Sequence, residues 1–239
     1  MKQTTKEPSA AFQEKYTCPY FEDGRITTIE YLFPNENDMN NYDEFLSGGY
    51  RRIGQIFYRN ICGKCMKCKP IRIETKKFKQ STSHKRTLKK NEDIHVEILN
   101  ASALTAEKIA LYEKYINTKH ESGKDEEQGD PVNTLISIHY GYPDIMEMDY
   151  YLENKLVGVS IVDEGKDSLS SNYFYYDTDF LDRRPGILSI LKEIDLARIM
   201  KKKYYYLGFY IKENRKMSYK KYFRPNQILE DGRWKDFLK

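Results

Sequence analysis

Three apolar segments in quick succession, Ile145 to Leu152, Leu156 to Val162 and Leu169 to Tyr176, constrain this chain more than any other feature. Each has the length of a strand, and turn residues bound them at Glu153-Asn154-Lys155 and Gly165-Lys166-Asp167. Connections this short join antiparallel neighbours, because a parallel crossover needs about a dozen residues or more. The spacing therefore predicts an antiparallel meander. After it, Arg183-Arg184-Pro185-Gly186 reads as a loop, Ile187 to Met200 as a helix, Tyr204 to Phe209 as a strand and Arg215 to Tyr222 as a second helix.

The first half is less regular. Asn37 to Ser47 is predicted helical, with Tyr42, Phe45 and Leu46 as its apolar stripe and Gly48-Gly49 as its stop. Tyr50 to Arg59 reads as one strand, and Ile71 and Ile73 belong to another. Ser81 or Ser83 can cap a basic helix that runs to about Lys90, and Ile94 to Leu99 is a short strand. Thr105 opens a helix whose Ile109, Tyr112 and Ile116 recur at helical spacing before Gly123. No repeat or low-complexity linker divides the 239 residues. The expected organisation is a flexible tail over 1–14, a smaller cysteine-containing, basic α/β region over 15–100, and a larger domain over 101–239 packed on it. Meander, glycine loop, helix, strand, helix is the order of acetyltransferase-like (GNAT-type) folds, so the expected class is α+β. Such an analogy assigns no substrate.

Charge is segregated along the chain. Arg51 to Lys90 holds fourteen Lys or Arg against the single acid Glu74, a local charge of +13; with a total of +4, the remainder carries 4 minus 13, or −9. Glu121 to Asp182 reverses the sign with fifteen acids against three lysines, and Arg198 to Lys239 returns to thirteen basic residues against four acids. Solvated helix faces are the ordinary reading of a charge run, but fourteen to one is too lopsided for solubility alone. A concentrated basic stripe attracts a polyanion, and an acidic middle orients it, so a nucleic acid is the expected ligand. No segment approaches the apolar length of a membrane span, and residues 1–14 lack the apolar run of a signal peptide, so a soluble, cytoplasmic protein with no membrane partner is expected.

The four cysteines are Cys18, Cys62, Cys65 and Cys68. Four thiolates at this spacing suit tetrahedral zinc or an iron-sulfur cluster. Disulfides are the alternative in a secreted chain, and burial as small hydrophobes is another. Lys64, Lys67 and Lys69 flank the run, which would place a metal-stiffened knuckle in the basic stripe, where Lys64 and Lys67 could touch phosphates.

Gly49-Tyr50-Arg51-Arg52-Ile53-Gly54 resembles the Gly-x-Arg-Arg-Ser-Gly motif of the arginyl- and leucyl-tRNA protein transferases of the N-degron pathway. The resemblance continues in order. Cys18-Pro19-Tyr20 is similar to the family's first Cys element, Tyr58 to Ile73 to its Cys-x2-Cys-x2-Cys-x-Pro-x-Arg-Ile block, and Ser83 to Lys90 to its basic helix, with His84 in place of Gln. His120 and Gly123 fit His-x-x-Gly, Ser171 to Asp177 fits Ser-x-x-Phe-Tyr-Tyr-Asp, and Tyr206 to Ile211 with Lys216 to Lys220 fits Tyr-Leu-Gly-Tyr-x-Ile and Lys-Met-x-Tyr-Lys. Two positions depart: Ile53 replaces a Ser, and Arg183-Arg184-Pro185-Gly186-Ile187 replaces Ser-Leu-Gly-Thr, so only Gly186 carries over there.

The resemblance implies attack by a protein's α-amine on the ester joining an amino acid to tRNA, with no cofactor for the reaction and with aminoacyl-tRNA and proteins beginning with Asp or Glu as partners. An α-amine has a pKa near 8, about 7.7–8.0, and the ester is already activated, so proximity and oxyanion stabilisation carry most of the barrier reduction. Arg51 and Arg52 are candidates for phosphates or the acceptor's acidic side chain, Tyr219 and Lys220 for the ester or terminal ribose, His120 for a base or anchor, and Asp177 for an incoming ammonium. Lys85, Arg86, Lys89 and Lys90 are candidates for a phosphate strand. Tyr175, Tyr176, Tyr206 and Gly186 are candidates for the aminoacyl pocket. Short length and the cysteine block favour leucine as the transferred residue; Asp177, Asp179 and Asp182 would make arginine feasible. Two other functions fit the same features: an acyl-coenzyme A acetyltransferase with Arg184 and Gly186 cradling the pyrophosphate, and a non-catalytic tRNA-binding module.

Overall fold

The computed structural model describes residues 10–35, 41–100, 103–120 and 130–238, with the side chains of residues 119 and 120 left out. In chain order the elements begin with β1 (Ala10–Thr17), β2 (Ile26–Phe33), α1 (Tyr42–Ser47), β3 (Arg51–Ile53), β4 (Ile56–Asn60) and β5 (Lys69–Glu74). Next come α2 (Thr82–Lys90), β6 (Ile94–Leu99), α3 (Ala106–His120), α4 (Pro131–His139), β7 (Ile145–Leu152), β8 (Lys155–Glu164) and β9 (Ser168–Tyr176). A 3-10 turn, Thr178–Arg183, leads into α5 (Pro185–Ile199), β10 (Tyr204–Tyr210), the short α6 (Arg215–Ser218) with a 3-10 turn at Tyr219–Tyr222, and a final hairpin of β11 (Asn226–Glu230) and β12 (Arg233–Leu238).

The strands form two sheets, which makes the fold α+β. Four strands pair in the order β1-β2-β4-β3, and eight pair in the order β12-β11-β5-β10-β9-β8-β7-β6. The predicted meander is the run β7-β8-β9. β10 lies antiparallel to β5 but parallel to β9, and the parallel pairing covers only Tyr204, Tyr205 and Tyr206. A bulge between Tyr206 and Gly208, with Gly208 at φ +87°, turns β10 away from β9. That divergence opens the cleft described below.

Helices cover both faces of the eight-stranded sheet. Leu188, Leu191 and Ile194 of α5 pack on Leu169, Leu207 and Ile73, while Leu111 and Tyr112 of α3 and Leu135 and Ile138 of α4 pack on Val159, Ile161 and Tyr175. A strand covered on both sides has no polar face, which is why Leu156 to Asp163 of β8 is buried without interruption.

Several local expectations are corrected. Tyr50 to Arg59 is a hairpin, because Gly54 at φ +56° reverses the chain between β3 and β4. Ala10 to Glu14, expected in the tail, belong to β1. The expected boundary near residue 100 crosses the large sheet, since β5 and β6 are two of its strands. Part of the helix expected from Asn37, and Gly123, lie outside the described residues. Ser81 is the cap of α2: its Oγ accepts from His84 N, and Ser81 N donates back to His84 Nδ1, both at 3.2 Å, so His84 completes a capping box as Gln would.

Candidate active site

The cleft, of about 790 Å³, lies where β9 and β10 part, between the start of α5 and the Tyr219–Tyr222 turn. This is the size of a small-molecule or acyl-group site, which runs from about 300 to 1,000 Å³. Arg51 enters it from β3, its Nη1 donating to Ser170 Oγ at 2.8 Å and its Nη2 donating to the Ser171 carbonyl. Lys220 enters from the far side, with Nζ donating to the Phe209 carbonyl at 3.1 Å. Both cations press on Gly208: a Cβ there would lie 3.3 Å from Arg51 Cζ and 3.4 Å from Lys220 Nζ. A side chain there would crowd both cations, and the φ of +87° itself favours glycine. Burial, and then the charge of Arg51, push the Lys220 amine down to about 7.

The α5 N-terminus forms a third wall. Arg184 caps it at φ +59°, Pro185 fills the first helical position, and Gly186 and Ile187 line the cleft. Pro185 has no N–H and Ile187 N already donates to the Arg184 carbonyl at 3.0 Å, so this wall suits an anion through the Gly186 N–H and the positive end of the helix dipole. The Tyr219 hydroxyl stands 4.0 Å from where a Gly186 Cβ would sit, and burial pushes it up to about 12. Among the described lining residues the charged ones are Arg51, Arg184, Lys216 and Lys220, with no Asp or Glu; Tyr115, Phe174, Tyr176, Ile190, Leu207 and Met217 supply apolar wall.

The structure thus gathers Arg51, Gly186, Tyr176, Tyr219 and Lys220 from the expected site residues. Four others lie elsewhere. Arg52 follows Arg51 on a strand and so points to the opposite face, where its Nε and Nη2 donate to Asp163 at 2.9 and 2.6 Å. Tyr42 and Asn172 complete the same carboxylate, and no phosphate can reach this buried guanidinium. Tyr175 is core, its hydroxyl 3.0 Å from His139 Nε2, and Tyr206 turns to Arg72, whose Nη1 donates to its hydroxyl at 3.1 Å. Asp177 is buried against Lys114 and Lys155. The His120 side chain is outside the described residues.

Lys85, Arg86, Lys89 and Lys90 are exposed on α2, and Arg184 Nη1 donates to Ser83 Oγ at 2.9 Å, which ties that helix to the cleft mouth. Lys90 is paired with Asp182 at 2.7 Å, and Lys67 with Glu213 at 2.6 Å; Lys64 is exposed. The four cysteines carry free thiols. Thr28 N donates to Cys62 Sγ at 3.3 Å and Arg25 Nη1 to Cys65 Sγ at 3.7 Å, while burial and the three other cysteines push the Cys68 thiol up to about 12. The donor chemistry therefore suits a thiophilic metal, but among the described residues no three ligating side chains are gathered to hold one. The expected metal centre is a neighbourhood of thiols in this structure.

Sequence reasoning overlooked Ser170, Ser189 and Glu193, which support the cleft, and met Ser171 only as the start of a motif with no role assigned. Nothing local distinguishes such serines, because their role depends on β3 crossing to β9 and on α5 packing beneath.

Comparison with known proteins supplies the family. The model of the arginine-tRNA-protein transferase N terminus matches residues 16–86, and that of the C terminus matches residues 107–230. The chain belongs to this family of aminoacyltransferases. Similar curated proteins are the aspartate/glutamate leucyltransferases of Saccharophagus degradans, 32% identical over 93% of this chain and 94% of that protein, and of Shewanella putrefaciens, 36% identical over 92% of each. That of Shewanella amazonensis is 35% identical over 95% of this chain and 94% of its own. Among solved structures, L-PGS from Bacillus licheniformis is similar at 11% identity and a TM-score of 0.43, over 77% of this chain and 55% of that one, a likeness too distant to carry function.

Proposed function

We propose that this chain transfers leucine from leucyl-tRNA to the N-terminal α-amine of cytoplasmic proteins that begin with Asp or Glu, creating a degradation signal. The relatives named as aspartate/glutamate leucyltransferases support it over nearly their whole length. The observation that carries it is the cleft lining, which is apolar and cationic and holds no carboxylate among the described residues. A leucine side chain fits such walls, whereas a buried arginine guanidinium without an acid would cost several kcal/mol. The acids once open to arginine are engaged: Asp177 and Asp179 with Lys114, and Asp182 with Lys90. The cations meet the acceptor's acidic first side chain and the terminal phosphates.

In this reading Lys220, held near neutrality beside Arg51, takes the proton from the attacking amine and returns it to the departing ribose oxygen. The α5 N-terminus and Arg51 stabilise the tetrahedral oxyanion, α2 follows the tRNA backbone with Lys85, Arg86 and Lys89, and Lys64 extends that track. The cysteines stand outside the cleft lining and take no part in transfer. The parallel β9-β10 pair that splays around the cleft supports reading the fold as GNAT-type. Mass spectrometry of a peptide beginning with Asp, after incubation with a mixed aminoacyl-tRNA pool, tests the proposal. Addition of leucine supports it; no addition, or acetylation from acetyl-coenzyme A instead, overturns it.

A further inference from the structure

One carboxylate reaches the cleft, and it does so only through hydroxyl groups. Glu193 stands on α5, fully buried, and takes no part in the chemistry above. Ser160 Oγ donates to its Oε1 at 2.5 Å, and Ser189 Oγ donates to the same oxygen. Tyr205 Oη donates to Oε2 at 2.8 Å, and the Ser171 hydroxyl faces both this carboxylate and the Tyr205 hydroxyl. Among the described residues no lysine or arginine forms a salt bridge with it. A carboxylate offers about four acceptor positions and four hydroxyls surround this one, while burial pushes its pKa above the ordinary glutamate value.

Two of those hydroxyls, on Ser171 and Ser189, belong to residues that line the cleft. A serine hydroxyl has one proton and two lone pairs. With its proton turned inward, Ser189 to Glu193 and Ser171 to Glu193 or Tyr205, each serine presents only lone pairs to whatever binds. A ligand group there must bring donors, and a cationic donor gains more, since charge-assisted hydrogen bonds are about twice as strong as neutral ones. The remaining charged lining is all cationic and offers such a group nothing. The α-amino group of an aminoacyl ester is a donor of this kind, one carbon from the reacting carbonyl.

We propose that Ser171 and Ser189 bind the α-amino group of the donor amino acid, and that Glu193 is the positioning residue that keeps them acceptors. The inference rests on the reading as an aminoacyl transferase. Its consequence is a filter: esters whose amine is acylated, such as peptidyl-tRNA, are refused.

The test compares transfer from leucyl-tRNA with transfer from tRNA carrying α-hydroxyisocaproic acid, which keeps the side chain and replaces the amine by a hydroxyl. The native enzyme prefers the amine donor by about tenfold or more in kcat/KM, the scale of one hydrogen bond to a charged group. Ser189→Ala and Ser171→Ala each raise KM for leucyl-tRNA while leaving that for the hydroxy analogue within about twofold, so the preference narrows. Glu193→Gln narrows it as well, because its amide donates to a serine and turns the hydroxyl outward, and Glu193→Asp restores part of it. Melting curves confirm that each variant is folded. A preference that survives in all three non-conservative variants overturns the inference while leucine transfer stands. Absence of leucine transfer by the native enzyme overturns the underlying reading instead.

Discussion

Arg51 and Arg52 are neighbours in the chain and opposites in the structure. Arg52 is closed in a buried pair with Asp163, with Tyr42 and Asn172 on the same carboxylate. Arg51 meets a serine hydroxyl, a carbonyl and the Tyr58 hydroxyl but, among the described residues, no carboxylate, and keeps its charge for the cleft. The contrast extends to lysines on the two faces of the large sheet. Lys108 is paired with Glu147 and Asp149, whereas Lys220 has a carbonyl, a thioether and a nearby cation. Charges matched inside the protein hold it together; charges left unmatched in a cleft await a ligand.

The largest effect that sharpens this comparison is on stability. Arg52→Ala leaves Asp163 buried without its cation and is expected to cost about 3–5 kcal/mol, lowering the thermal midpoint by on the order of 10 °C. Arg51→Ala shifts the midpoint little and abolishes most transfer. Equal melting losses in the two variants would erase the distinction. The second effect is on rate: Lys220→Met lowers kcat by about 10²–10⁴-fold in a folded protein.

Lys220 also sets a pH dependence. Its folded value near 7 lies below the ordinary 10.5, so the unfolded chain holds the extra proton between those limits. The destabilisation is present in full below about 7 and is relieved as pH rises toward 10.5. Lys220→Met removes that part of the rise in stability, measured by denaturant unfolding at pH 7 and pH 9. Charge reversal of Lys85, Arg86 and Lys89 comes next, weakening tRNA binding and flattening the salt slope by about 0.9 per lost duplex contact; the same change at Lys90 adds less, because Asp182 already occupies it. Smallest of all, Asp177→Asn leaves leucine transfer within about twofold, since Asp177 serves Lys114 and Lys155 outside the cleft.

What was legible in the sequence was local. The meander, α5 and β10 announce themselves by short turns and unbroken apolar runs. β11 and β12 carry a readable signal in the Asp231-Gly232 turn, and α4 another in Asp130 as cap before Pro131 at the first position. β1 gave little, because it is exposed along its whole length and burial imposes no alternation on it. The insertion of β5 between β10 and β11, and the pairing of Arg52 with Asp163 across 111 positions, are long-range and leave no local trace. Motif order found Arg51, Tyr219 and Lys220, but it could not separate Arg51 from Arg52; strand alternation did that.

The central claim, that a cleft lined by cations and apolar walls takes leucine, is tested most directly by one comparison. Purified leucyl-tRNA and arginyl-tRNA are offered separately to the enzyme with a peptide beginning with Asp, and kcat/KM is measured for each. Leucine transfer favoured by about a hundredfold or more is the expected result, the scale of leaving a buried guanidinium without an acid. Arginine transferred as well as leucine, and lost in Asp177→Asn, would contradict it and return Asp177 to the site.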